Sequence, residues 1–221
     1  MDRENWFSLK DTNKIFLKDL DVVFMRQDPP FDMGYINNTY VLDSAEKGGV
    51  KIYNKPSALR NFNEKISILE YSKFCTETII ASEKKLILNF IQQHKDVVSK
   101  PLNLMGGQGI EKLNLNQKNL IDKLKKSTKD FKEKIMVQKF IERVYEGDKR
   151  ILIINGKPSE YAVVRTPARG EFKGNLAAGG IASIEKLNKI EEKIASEIAP
   201  RLKESGILIA GLDVVGDFLS E

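Results

Sequence analysis

A chain of 221 residues, 41% hydrophobic and 30% charged, can bury a substantial core as one large domain or two small ones, and this balance excludes a disordered polymer. Its net charge of +5 comes from lysine interspersed with glutamate rather than from a block of one sign, so an anionic small molecule suits it better than nucleic acid. One cysteine and one histidine exclude an internal disulfide and Cys/His zinc sites, and no apolar run reaches membrane-spanning length.

The opening MDRENWFSLK has no apolar signal core, which makes the cytoplasm the expected compartment. Residues 21–26 (DVVFMR) read as a buried strand, ended by the turn chemistry of Asp28-Pro29-Pro30. Residues 34–47 place Ile36, Tyr40, Val41 and Ala45 at helical spacing; Gly48-Gly49 stops them and 50–53 return as a strand. Such a strand–helix–strand unit is the building block of a parallel sheet. Residues 57–73 read as one helix with Lys65 near its middle, followed by a strand at 77–81, a helix at 83–94 and a strand at 97–101. Cys75 reads as a small buried apolar residue, since the lone His94 sits at a polar helix end and offers no base.

Residues 115–126 form an amphipathic helix and 135–140 another strand. From Arg150 the period changes to two: RILIIN, the hairpin turn Asn155-Gly156, then 158–166. Residues 167–180 (PARGEFKGNLAAGG) have no periodicity and are too long for a plain turn; such segments are functional lids or disordered. Residues 184–205 read as helix despite Pro200, and 206–215 as an apolar strand interrupted only by Asp213. The last residue, Glu221, falls in mid-strand, a poor place for a domain to end.

Three stretches carry chemistry. Lys100 ends a short strand and Gly106, Gly107 and Gly109 follow it; close-set glycines let backbone amides approach phosphate oxygens, and the ammonium adds a point charge. The order is neither a P-loop nor a dinucleotide fingerprint, and a mobile hairpin tip is the other reading. Asp213 within ILIAGLDVVG needs a partner, because an unpaired buried carboxylate costs several kcal/mol; Mg²⁺, or a lysine or arginine, would serve. Glu221 joins Asp213 on one face if the intervening hairpin has a three-residue loop, whereas a two-residue loop pairs Asp213 with Ser220 and sends Glu221 to the other face. Pairing centred on Asn155-Gly156 sets Arg150 near Tyr161, so the guanidiniums of Arg150 and Arg165 meet only across a bulge or bend.

Six ordered motifs then carry a resemblance that spans essentially the whole chain: MRQDPPFD (25–32), NKPSALRNFNEK (54–65), KPLNLMGGQGI (100–110), GDKRILIINGKP (147–158), KGNLAAGG (173–180) and GLDVVGDFLSE (211–221). The chain resembles prokaryotic glutathione synthetase, an ATP-grasp ligase. The resemblance implies an α/β (α+β) ATP-grasp fold: a partial N-terminal strand–helix–strand domain over 1–60, a small ATP-grasp subdomain over 61–140 and a C-terminal subdomain over 141–221. It implies joining of γ-glutamylcysteine and glycine through an acyl phosphate, driven by ATP with Mg²⁺ or Mn²⁺, in a homo-oligomer with no nucleic-acid or membrane partner. Lys65, Lys100, Gly106, Gly107, Gln108, Gly109, Gln138, Lys139, Phe140, Ile141 and Asp148 would hold ATP; Asp213 and Glu221 would hold the metal. Arg150 and Arg165 would be catalytic, and Arg26, Lys173 and Asn175 would meet substrate beneath a lid at 167–180. Lys173 stands where the family usually has arginine, and Asn103-Leu104 where it usually has Asp-Gly. The family also extends beyond both ends of this chain, including an asparagine metal ligand two residues after Glu221, so weak or absent turnover is expected of the 221 residues alone. A non-catalytic nucleotide-binding module, or a ligase acting on a peptide or protein carboxylate, is the alternative.

Overall fold

The computed structural model describes residues 8, 10–174 and 180–221. The predicted strand–helix–strand unit is present in reduced form: β1 (Val23–Phe24) and β2 (Ile52–Tyr53) pair in parallel around α1 (Met33–Lys47), but the strand expected to be buried over 21–26 is only two residues long and leaves Val22 and Phe24 exposed. Asp32 caps α1 by accepting from the Tyr35 amide at 2.9 Å.

Residues 57–73 do not form one helix. The helix α2 (Pro56–Asn61) ends early, and a 3-10 segment, Ser67–Phe74, resumes only after a turn. The Asn63 side-chain carbonyl accepts from the amides of Lys65 and Ile66, both at 3.0 Å, and so competes with helical pairing at that point. Lys65 therefore leaves a turn rather than a helix, and its side chain is buried.

A four-stranded antiparallel sheet follows, built from β3 (Thr78–Ala81), β4 (Val97–Pro101), β5 (Glu111–Leu113) and β6 (Ile135–Lys139) in the order β3-β6-β4-β5. Helices α3 (Lys84–His94) and α4 (Leu120–Ser127) pack Ile87, Ile91, Leu120 and Leu124 against Val97, Ile135 and Val137 of this sheet. The helix expected from 115 starts only at Leu120, because residues 114–119 turn, with the Asn114 side chain accepting from the Asn116 amide at 3.0 Å. The unforeseen β5 makes the glycine segment the tip of a β4–β5 hairpin.

The second large sheet is antiparallel and five-stranded: β7 (Asp148–Ile154), β8 (Lys157–Thr166), β9 (Ile181–Lys186), β10 (Ile209–Val215) and β11 (Phe218–Leu219), ordered β11-β10-β7-β8-β9. Asn155 and Gly156 form the two-residue turn with φ of 49° and 73°, the left-handed pair that a tight hairpin needs. Residues 184–205 are not all helix: Ile181–Lys186 is an exposed edge strand on β8. The helix α5 (Lys189–Glu204) begins after Asn188, whose side chain closes a capping box with Glu191.

Alternation along β7, β8 and β10 makes this sheet two-faced. One face sets Ile151, Ile153, Ala162, Leu212 and Val214 against Ile194, Ala195, Ile198 and Leu202 of α5. The other face carries Asp148, Arg150, Arg165 and Asp213. Ile194 has no exposed surface, so Ile194→Ala should lower the unfolding free energy by about 2–5 kcal/mol in urea titrations.

Candidate active site

A cleft of about 420 Å³ is lined by β4, β6 and the glycine hairpin, by the polar face of β7, β8 and β10, and by residues 25–29. Every site residue expected from sequence lines it except Gly109 and Asn175. Gly109 is turned away; a Cβ there would come within 2.7 Å of Pro101, so it serves the loop's packing rather than the cleft wall. Asn175 lies outside the described residues, as does most of KGNLAAGG, of which Lys173, Gly174 and Gly180 are described.

Two lysines from the sequence-predicted phosphate site meet the C-terminal hairpin. The Lys65 ammonium lies 2.7 Å from Glu64 Oε1 and 3.0 Å from Glu221 Oε1, and donates to the Leu104 carbonyl at 2.7 Å. The Lys100 ammonium donates to Ser220 Oγ at 2.8 Å and to the Ser220 carbonyl at 3.1 Å. Burial opposes the charge on Lys65, yet Glu221 and Glu64 outweigh it and raise its pKa. On Lys100 burial wins and the pKa falls, with Glu221 pulling the other way. An arriving polyphosphate would favour the charged form that burial disfavours there.

The hairpin itself settles how Glu221 reaches the site. Val215 pairs with Phe218 and Val214 with Leu219, which leaves a two-residue loop, Gly216-Asp217. That loop alone would send Glu221 to the far face. Beyond it, however, Ser220 and Glu221 both donate to the Asp213 carbonyl, at 2.7 and 3.3 Å, while the Asp213 amide donates to the Glu221 carbonyl at 2.7 Å. Two residues thus oppose one, a β-bulge, and Glu221 lines the same cleft as Asp213.

Asp213 is 7% exposed and paired with two arginines. Arg150 binds it through two nitrogens, one of them Nη2 at 2.7 Å from Oδ2, and Arg165 Nη2 lies 3.0 Å from the same oxygen. Arg165 also forks onto Asp148 at 2.7 and 2.9 Å. Burial works against both guanidiniums, but the carboxylates outweigh it and raise both pKa values. Burial likewise pushes the Asp148 carboxyl up, despite Arg165. The guanidiniums meet because the β7–β8 register shifts between Ile151 and Ile153, setting Arg150 opposite Val163 rather than near Tyr161 and Arg165 opposite Asp148.

The cleft's other end is apolar and aromatic. Phe140 and Ile141 follow β6, and Phe172 within the segment 167–180 packs edge-on to Phe140 with centroids 5.9 Å apart. The Lys112 ammonium stands 3.8 Å from the Phe140 ring centroid. Gln138 is buried and donates to Thr78 Oγ1 at 3.0 Å, while Lys139 reaches Glu77 at 3.4 Å. Gly106 and Gly107, with φ of 63° and 77°, turn the hairpin tip over the lysines, and Gln108 lines the wall beside them. Arg26 closes the side formed by residues 25–29, and Lys173 lies 5.8 Å from the Phe172 ring.

Sequence reasoning missed Glu64 and Ser220, which hold the two lysines. Glu64 was hidden by reading its turn as helix; burial and the charge of Glu221 raise its pKa. Ser220 became visible only with the bulge. Cys75 is half-buried and donates to the Ile68 carbonyl at 3.3 Å; burial pushes its thiol up to about 11. As a metal site, Asp213 and Glu221 supply two hard carboxylates on one wall, the partial donor set that Mg²⁺ completes with water and phosphate oxygens. These carboxylates suit that ion chemically, but here both are paired with protein cations, Asp213 with Arg150 and Arg165 and Glu221 with Lys65, which a metal would have to displace or share.

A family model described as prokaryotic glutathione synthetase, ATP-grasp domain, matches residues 64–221, and one described as prokaryotic glutathione synthetase, N-terminal domain, matches 1–60. The chain is 43% identical to the glutathione synthetase of Neisseria meningitidis serogroup A, over 99% of this chain and 69% of that protein. It is 39% identical to that of Pseudomonas aeruginosa, over 100% of this chain and 69% of that protein. Among solved structures, D-cycloserine synthetase DcsG is similar with a TM-score of 0.66 at 9% identity, covering 96% of this chain and 78% of that one. D-alanine–D-alanine ligase from Bacillus anthracis follows with a TM-score of 0.63 at 16% identity, covering 91% and 67%. At such identities these two likenesses speak for the fold alone.

A thiol moved from 9.0 to about 11 carries about 100-fold less thiolate near neutral pH, and its greater intrinsic nucleophilicity returns about tenfold of that, so Cys75 should react with a disulfide reagent more slowly than an exposed peptide thiol by about tenfold or more. Stopped-flow thiol titration at pH 7.5 measures this, and reaction at the rate of an unhindered peptide thiol would contradict it.

Proposed function

The chain belongs to the prokaryotic glutathione synthetase family, and from that premise we propose how its cleft divides the work of an ATP-dependent carbon–nitrogen ligase that makes glutathione. The fold is ATP-grasp, and ligases of that fold use ATP and Mg²⁺. The observation that carries the assignment is the meeting of Lys65 and Lys100 with the hairpin of Asp213, Ser220 and Glu221 across one cleft.

ATP lies with its base at the Phe140 end, against Gln138, Lys139 and Ile141, and with its phosphates toward Lys65, Lys100, Asp148 and the Gly106-Gly107-Gln108 tip. Residues 61–140 and 141–221 act as the two subdomains that grip it, and 1–60 contributes the substrate side through Arg26. Asp213 and Glu221 would hold Mg²⁺, or Mn²⁺ with its similar preference for oxygen, and the ion, when bound, neutralises phosphate charge. The γ-phosphate passes to the cysteinyl carboxylate of γ-glutamylcysteine, and the glycine amine then displaces phosphate from the acyl phosphate. Arg150 and Arg165 sit where charge moves between phosphate and carboxylate; fixed, forked donors in a partly dry site stabilise such charge more than water would. Lys173 would meet substrate, as would Asn175, which lies outside the described residues; cover over the acyl phosphate would keep water from a hydrolysable intermediate. The protein works in the cytoplasm as an assembly of identical subunits; among the described residues no helix is long and apolar enough to cross a membrane.

ADP release should require γ-glutamylcysteine and glycine together. Lys100→Met should lower kcat/KM for ATP about 100-fold or more while leaving the fold intact by circular dichroism. ADP release indifferent to γ-glutamylcysteine, or a Lys100→Met protein with undiminished turnover, would refute the assignment.

A further inference from the structure

Gly211 occupies a position where nothing in its own surroundings calls for glycine. It lies on β10, two residues before Asp213 and on the same face, and it is exposed rather than packed under another layer. Its φ is not in the left-handed region, so the backbone would accept any residue. The demand comes from one neighbouring side chain. A Cβ built on Gly211 would stand 2.5 Å from Arg150 Cδ and 3.1 Å from both Nε and Nη1. Arg150 therefore lies directly over the bare Cα of Gly211 on its way to the two-nitrogen contact with Asp213.

We infer that Gly211 is a positioning residue for the ligation: by having no side chain, it leaves the channel through which the Arg150 guanidinium reaches Asp213 and faces the reacting groups. This rests on the role proposed above for Arg150 and adds the reason its geometry is held. The three atoms nearest to a methyl group at 211 all belong to one flexible side chain, that of Arg150. Arg150, whose side chain is 39% exposed, can swing into the cleft, so the protein folds while the fork onto Asp213 is lost. A wrongly placed guanidinium costs rate rather than stability.

The test is a double-mutant cycle on the protein: unaltered, Gly211→Ala, Arg150→Ala and the pair. ADP release is followed at high enzyme concentration with substrates still in excess, so that slow residual rates are measurable, alongside thermal unfolding. Gly211→Ala should lower kcat about tenfold or more, with KM for ATP changed less than about threefold and Tm within about 3 °C of the unaltered protein. In the Arg150→Ala background, where no side chain remains to displace, the same change should alter kcat less than about twofold. A crystal structure of Gly211→Ala should show the guanidinium moved off Asp213. An equal further loss of rate in the Arg150→Ala background, or Arg150 still forked onto Asp213 in that crystal structure, overturns the role of Gly211 while leaving that of Arg150 standing. Unimpaired turnover by Arg150→Ala overturns both.

Discussion

One buried carboxylate organises this molecule. Asp213 sits in an apolar strand between the core face and the cleft, where an unpartnered charge would be ruinous to stability. Arg150 satisfies it from the neighbouring strand β7 and Arg165 from the strand beyond. Those arginines are in turn held by Asp148, by the register shift in the β7–β8 hairpin, and by the bare stretch of β10 at Gly211. A network this buried is stable only when every member is partnered, so each strand's offset is constrained by the charges it presents.

The same logic joins the two sheets. Lys65 and Lys100 belong to the N-terminal side of the cleft, yet their ammonium groups end on Glu221 and Ser220 of the C-terminal hairpin. Burial penalises both cations; Lys65 keeps two carboxylates and a carbonyl as compensation, whereas among the described residues Lys100 donates to Ser220 alone. The consequence is a cleft whose positive charge is partly committed and partly waiting for an anion. Such a site can exchange protein carboxylates for ligand phosphates without leaving an orphaned charge at either stage.

Around this polar centre the apolar parts set orientation. Phe140 and Phe172, one following β6 and the other within the segment 167–180, pack edge to face and give the cleft an aromatic end. A flat ligand moiety at that end and an anionic one at the lysines are read by different physics, dispersion and desolvation in one place and Coulomb attraction in the other. On the proposed function, that asymmetry would orient a nucleotide without a dedicated hydrogen bond for each atom.

Periodicity and turn chemistry were enough to read most of the elements: the parallel β1–α1–β2 unit, β4 before the glycines, and the hairpin at Asn155-Gly156. Six motifs gathered most of the cleft residues, because a family's motifs are local strings of sequence, while Arg165 and the segment 138–141 lie outside them. Where reading failed, a side chain was competing with local propensity, as Asn63 does in breaking the helix before Lys65. The last part of an edge strand, 184–186 with exposed Ile184, likewise reads as helix from sequence, since its identity comes from pairing with β8 rather than from its own pattern. Register and bulges lay beyond sequence altogether. Whether Glu221 faced Asp213 turned on two extra hydrogen bonds to one carbonyl, and whether Arg150 met Arg165 turned on a shift at Leu152. Sequence determined which chemical groups the protein owns and roughly which elements carry them. Only tertiary structure decided which face each one points to, because a strand alternates every residue and a single inserted position reverses the answer.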